Sequence, residues 1–537
     1  MFMKTMLVCV AVVVLSARIL AGELLYNGIE LSAPWPPAAP VVKLGTADAG
    51  GEPMPVPYLK NPPAVIPIDV GRQLFVDDFL IDATTLKRHF YPPTMHPDNP
   101  LLKPDQPWEK EGGAMAMPFS DGVWYDPADK LFKMWYMAGY TKQTAYASSR
   151  DGLHWEKPAL DVRAGTNVVQ THVRDSSTVW LDFEDPDPNR RFKMFLSHSE
   201  DKRFGLSAYF SADGIHWGDR ALRTGSNGDR STVFWNPFRK VWVYSLRHGW
   251  GVPRARRYWE VKDLLGGPQW TQISEPLMWV GADRLDPQRD DLKVMPQLYN
   301  LDAVAYESLM LGLFTIWRGD KNIPPGRPKP NSVWLGYSRD GFHWDRPKRQ
   351  PFINVSENPA DWNFGNVQSA GGCCLVVGDE LWFYFSGRAG GAKRDAGGAT
   401  GLAKLRRDGF ASMDAGVEAG TLTTRSLRFS GKFLFVNAAA AKGELRAEAL
   451  DEKNEPIVPY TLANCEPVST DATKVRINWK GADDLGALSG KVVRLRFQMT
   501  NGALYSFWVS PDVSGASGGY VGAGGPGFTG ARDTMGK

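Results

Sequence analysis

One seven-residue phrase constrains what this chain can fold into. It occurs as Ser149-Arg-Asp-Gly-Leu-His-Trp155, Ser211-Ala-Asp-Gly-Ile-His-Trp217 and Ser338-Arg-Asp-Gly-Phe-His-Trp344. A shortened copy, Arg407-Asp-Gly-Phe410, follows, and Gly266-Gly-Pro-Gln-Trp270 fills the interval between the second and third full copies. The five units stand about 53 to 74 residues apart, and a fixed period marks an array of one supersecondary unit. Asp-Gly is a strong hairpin signal because the turn needs positive φ. The closing Trp is suited to cover the edge of its unit. The His of each copy is read as part of the turn and not as a metal ligand.

A second pattern precedes each phrase: an apolar strand, a polar turn, then an aromatic strand. It reads Gly122-Val-Trp-Tyr-Asp126 with Leu131-Phe-Lys-Met-Trp-Tyr136, and Thr178-Val-Trp-Leu-Asp182 with Phe192-Lys-Met-Phe195. Equivalents begin at Thr232, Ala303 and Cys374. Each unit therefore offers four short strands, with the Asp-Gly turn joining the last two. Four-stranded units repeated radially are propeller blades. The expectation is an all-β chain with a five-bladed β-propeller over residues 66–417, its ring closed with help from Leu74-Phe-Val-Asp-Asp-Phe-Leu-Ile81.

From Leu422 the pattern changes to six longer alternating strands, a β-sandwich signature assigned to residues 418–512. Residues 22–65, rich in Pro, Ala and Gly, read as a tail or clamp lying on the surface. The Gly-rich end, 513–537, reads as a disordered tail.

The first 21 residues have the form of a secretory signal peptide: Lys4, an apolar run from Met6 to Leu15, and a small residue, Ala21, at the cut. The run is too short for a membrane span and is soon broken by Arg18. The expectation is a secreted or periplasmic protein with no membrane association after cleavage. The formal net charge of +3 argues against nucleic acid as the partner, since phosphate binding relies on a basic surface. The three remaining cysteines, Cys373, Cys374 and Cys465, have no zinc-like spacing, and no cofactor or metal is implied. Twenty Trp, 17 Tyr and 26 Phe suit many short strands, and also suit stacking on sugar rings.

Five four-stranded units followed by a sandwich resemble the five-bladed glycosidases, above all glycoside hydrolase family 32 and its relatives. The resemblance covers roughly residues 70 to 510 and is architectural. It implies carbohydrate as substrate, and catalytic carboxylates at the mouth of the innermost strands, where the blades converge on one funnel. In that family these are the Asp of an Asn-Asp-Pro-Asn-Gly segment, the Asp of Arg-Asp-Pro, and the Glu of Glu-Cys. Here Arg174-Asp175 precedes Ser-Ser-Thr-Val-Trp, and Gly228-Asp229-Arg230 precedes Ser-Thr-Val-Phe-Trp. Both Asp175 and Asp229 fall four positions before the strand valine, Val179 and Val233, so equal registers bring them to one funnel. Neither is followed by Pro, and no Glu-Cys occurs.

The equivalent register is Phe119 in the first unit and Asn300 in the fourth. A third carboxylate then comes from a neighbouring position. Asp302 is the first choice, being two residues on from Asn300 and so on the same strand face. Glu307 follows, with a turn role as the competing reading, and Asp121, Asp77 and Asp78 remain open. Asn300, Asn366 and Gln368 are candidate substrate-binding residues at the same register, and Arg230 is a further candidate, for a substrate carboxylate or for pairing with Asp229 itself. The basic stretch at 247–257 suits an anionic sugar, because guanidinium groups match planar oxyanions. A glycoside hydrolase is expected first, with a non-catalytic glycan-binding propeller and a glycoside phosphorylase as alternatives. The sequence does not fix the oligomeric state.

Overall fold

The computed structural model describes residues 22–46, 48–248, 253–267, 270–319, 330–389 and 397–534. The proposed signal peptide and Pro268-Gln269 of the degenerate repeat lie outside them.

Each full repeat phrase forms one closed hydrogen-bonded turn. In the second copy the Ser211 hydroxyl donates to Asp213 Oδ1 at 2.9 Å, and the same oxygen accepts the amides of Ile215 and His216 at 2.8 and 2.9 Å. Asp213 Oδ2 pairs with His216 Nδ1 at 2.7 Å. The copies at Asp151–His154 and Asp340–His343 repeat this, each with a 2.7 Å Asp–His contact. The His residues are thus turn components.

These turns dock onto the neighbouring sheet. Trp135 Nε1 donates to Gly214 O at 2.7 Å, Trp279 Nε1 to Phe342 O at 2.9 Å, and the Tyr384 hydroxyl to Gly152 O at 2.6 Å. The turn glycine is required twice over at Gly214. Its φ is +79°, and a Cβ there would lie 2.5 Å from the Trp135 ring.

The strands form antiparallel sheets in chain order. The first comprises Ala116–Asp126, Leu131–Ala138, Gln143–Ser149 and Val168–Gln170. The second comprises Ser177–Leu181, Phe192–Glu200, Arg203–Ser211 and Leu222–Arg223. Thr232–Asn236, Val241–Arg247, Ala255–Val261 and Leu277–Gly281 make the third. The fourth contains Gln297–Glu307, Leu309–Trp317 and Asn331–Ser338. The fifth contains Asn366–Ser369, Leu375–Val377, Glu380–Arg388 and Gly398–Arg406. The leading strand of each of the first three sheets lies against that of the next, while Asn366–Ser369 packs on Leu309–Trp317 and Asn331–Ser338 of the fourth sheet and returns to Ala116–Asp126. The Tyr384–Gly152 bond joins the fifth sheet to the first in the same sense. Buried aromatics, Trp124, Trp135, Tyr244, Trp279 and Trp334 among them, fill the space between sheets.

Residues from 411 onward supply most of two further antiparallel sheets, which enclose a second core built on Leu434, Val436, Leu445, Leu495, Phe497 and Phe507. The expected closing strand belongs here. Gln73–Leu74 pairs with Ser506 and Phe507, and Ile81–Thr84 pairs with residues 422–424. The outer strand of the fifth sheet is instead Thr94–Met95, paired to Ala403 and Lys404. Residues 66–90 therefore leave the unit that the repeat pattern assigned to them.

The Gly-rich end also departs from expectation. Tyr520–Val521 pairs with Tyr306 and Glu307, and Val521 and Ala523 are buried. Residues 22–65 do form a clamp, but a partly buried one: Leu25, Ile29, Leu31 and Tyr58 are inside, and the Tyr58 hydroxyl donates to His343 O.

Candidate active site

Asp175 and Asp229 lie just ahead of the leading strands of the second and third sheets, and the chain ties them together. The Asp175 amide donates to Ser197 O at 2.8 Å. The Ser197 hydroxyl donates to the Asp229 carbonyl at 2.9 Å, and Ser176 Oγ reaches the same carbonyl at 3.2 Å. Burial, and after it the negative charge of Asp229, raise the Asp175 carboxyl to about 7. Asp229 forms an ion pair with Arg247, on the strand beside it. The two carboxyls thus sit in unlike surroundings, one desolvated and the other held by a guanidinium.

Arg230 points inward beneath this pair and is 1% exposed. Its guanidinium donates to Phe119 O and to Ser120 Oγ, both at 3.0 Å, and lies 3.5 Å over the centroid of Phe119. Ser120, at φ 64°, donates its hydroxyl hydrogen bond to Asp302 Oδ2 at 2.8 Å. The same oxygen accepts from Asn300 Nδ2 at 3.0 Å and from Ser369 Oγ at 2.6 Å. Burial raises the Asp302 carboxyl as well. Asp302 and Asn300 are therefore knotted into a floor that joins the first, fourth and fifth sheets under Arg230.

Gln368 donates to Asn366 Oδ1 at 2.6 Å, and both are buried on the leading strand of the fifth sheet. Asn366 is paired in register with Arg388.

Glu307 is corrected. It stands at the other end of the strand carrying Asp302, roughly 16 Å away at the usual strand rise. It is fully buried, ion-paired with Arg72 at 3.5 Å and Arg407 at 3.1 Å, and accepts from Ser517 Oγ at 2.7 Å. That cluster ties the fourth sheet to the C-terminal segment. The other acids left open are also ion-paired: Asp121, beside the site, with Arg174 at 2.8 Å, and away from it Asp77 with Arg339 at 2.8 Å and Asp78 with Arg88.

Of three further residues at the mouth, Tyr299 and Arg388 escaped the sequence reading, while Arg254 belongs to the basic stretch at 247–257. Tyr299 feels the charges of Asp175, Arg230, Asp229 and Arg388, and burial raises its hydroxyl. It is the extra residue of a bulge between Leu298 and Asn300, so strand alternation does not reveal its direction. Arg254 lies 4.1 Å from the ring centroid of Trp317 and 5.5 Å from that of Tyr299. Arg388 lies 5.4 Å from Phe119 and 5.2 Å from Tyr140. Its pairing with Asn366 is the signal that could have found it.

A carboxyl raised to about 7, beside one ion-paired with a guanidinium, is an arrangement suited to donating and accepting protons at one pH. Among the described residues no group of three or more His, Cys, Asp and Glu side chains is placed to hold a metal ion. No helix among them is long and apolar enough to cross a membrane.

No protein-family profile and no curated protein matches the chain. The solved structures to which it is similar include several glycoside hydrolases. A glycosyl hydrolase from Bacteroides ovatus matches at 14% identity and TM-score 0.38, over 61% of this chain and 97% of that one. A family 43 arabinoxylan arabinofuranohydrolase from Bacillus subtilis matches at 10% and 0.33, over 77% and 97%. A β-fructofuranosidase from Schwanniomyces occidentalis matches at 10% and 0.33, over 78% and 97%. Likeness at this level is too distant to assign fold or activity.

Proposed function

We propose that this protein is an exported glycoside hydrolase. Its five chain-ordered sheets read as the blades of a five-bladed β-propeller, and the two C-terminal sheets as a β-sandwich. Asp175 is the proton donor to the glycosidic oxygen, and Asp229 is the carboxylate that faces the anomeric carbon or its attacking water. Cleavage through a cation-like transition state calls for such a pair. The single observation behind this reading is the joining of Asp175 and Asp229 through Ser197 in unlike electrostatic surroundings. Asp302 takes no proton in this scheme and serves as a positioning residue, holding Ser120 and, through it, Arg230. The partly exposed rings of Tyr140 and Tyr299 suit a sugar ring.

The test is reducing-end release by the purified protein across neutral, uronic and sulfated glycans, with Asp175→Asn and Asp229→Asn beside the wild type. Loss of more than about 10²-fold in both variants, with folding intact, supports the carboxylate pair. Glycan binding without release from any substrate favours a binding propeller instead.

A further inference from the structure

The mouth of the site carries two guanidinium groups that form no ion pair among the described residues. Arg247 is ion-paired with Asp229. Arg230 and Arg256 donate to backbone carbonyls and serines below. For the guanidinium groups of Arg254 and Arg388, by contrast, no acceptor is found among the described residues; the Nε atom of each is buried without a partner, as is that of Arg230. Each instead lies over aromatic rings: Arg254 over Trp317 at 4.1 Å and Tyr299 at 5.5 Å, Arg388 over Phe119 at 5.4 Å and Tyr140 at 5.2 Å. Arg230 shares Phe119 with Arg388 and Tyr299 with Arg254, so the two unpaired groups flank the floor on which Asp175 and Asp229 stand.

Stacking engages the face of a guanidinium and leaves its in-plane donors free, and those donors match the edge of an oxyanion. A buried N–H without an acceptor is costly, and persists where a bound group completes it. The sign is also telling. Arg388 acts on the charge of Asp175, and Arg254 on that of Asp229, so an anion placed here lies beside the reacting carboxyls.

Resting on the glycosidase reading above, we infer that the site takes an oxyanion held by Arg254 and Arg388. It is borne by the sugar itself, as a uronate carboxylate or a sulfate ester, or it is free phosphate.

Calorimetric titration of the full chain tests this. The probes are oligomers of glucuronate, galacturonate and mannuronate and sulfated galactose oligomers, each against its neutral parent, with inorganic phosphate as a separate arm. We expect at least one anionic probe to bind about tenfold or more tightly than its neutral parent, with affinity falling as salt rises. We expect that preference to be lost in Arg254→Gln and Arg388→Gln. If phosphate alone binds, and its addition yields sugar 1-phosphate, the oxyanion is free phosphate. In that arm a phosphate oxygen bonds to the anomeric carbon, the glycosidic bond breaks, and the leaving oxygen takes the Asp175 proton. No anionic preference and no phosphate binding in the wild type overturns the inference whether or not the variants fold, as does a preference unchanged in both variants. Anion binding without cleavage of any probe would leave this inference standing and remove the glycosidase reading.

Discussion

Asp175 and Asp229 are joined through one serine: the Asp175 amide donates to Ser197 O, and the Ser197 hydroxyl donates to Asp229 O. The bond network fixes the separation of two backbones on different sheets. It also explains why Asp229 is the largest charge acting on Asp175.

The raised Asp175 carboxyl sets the direction of two pH effects. As proton donor it must be protonated, so kcat/KM falls above about pH 7, the value to which the carboxyl is raised. Stability runs the same way. The folded chain holds the proton up to about 7, while an unfolded aspartate releases it near 3.9. The folded state therefore binds more protons between those values, and stability declines as pH rises through that window. In thermal melts Asp175→Asn gains on the wild type from pH 5 to pH 8.

The turn carboxylates differ in worth by their burial. Asp340 is 3% exposed and serves Ser338, two amides and His343. Asp340→Ala costs about 2–3 kcal/mol, while Asp151→Ala, whose side chain is half exposed, costs about 1 kcal/mol. Urea unfolding of both variants checks the order.

Glu307→Gln separates a structural acid from a catalytic one. It leaves Arg72 and Arg407 short of a buried partner, which costs about 3–5 kcal/mol. At a temperature where the variant stays folded, kcat changes less than about threefold. A loss comparable to that of Asp175→Asn would return Glu307 to the site.

Truncation after Val513 removes the strand pairing to Tyr306 and Glu307 and buried side chains that include Ser517, Val521, Ala523 and Asp533. A markedly lower Tm is expected, where a disordered tail would leave it unchanged.

What the sequence revealed was local chemistry. The Ser-x-Asp-Gly-x-His-Trp phrase closes its own turn, so the repeat and its strands were legible, and equal spacing from Val179 and Val233 placed Asp175 and Asp229 together. What it concealed was pairing between distant segments. Leu74 to Ile81 alternates as well for one sheet as for another, whereas Thr94–Met95, two residues long, gives no signal. The glycines of the C-terminal segment read as disorder, yet they are there because backbones pass close: a Cβ on Gly525 would meet Val376 O at 1.7 Å, and one on Gly519 would meet Glu307 Oε2 at 2.2 Å. Tyr299 was hidden by its bulge, and Arg388 by lying on a neighbouring strand.

The most direct test of the carboxylate pair is a ¹³C NMR titration of the aspartate carboxyls, with Asp175 assigned by its absence in Asp175→Asn. In the wild type Asp175 is expected to titrate at about 7, and in Asp229→Asn, with the neighbouring charge removed, at a lower pH. An Asp175 carboxyl titrating near pH 4 in both proteins would contradict the pairing and the donor role built on it.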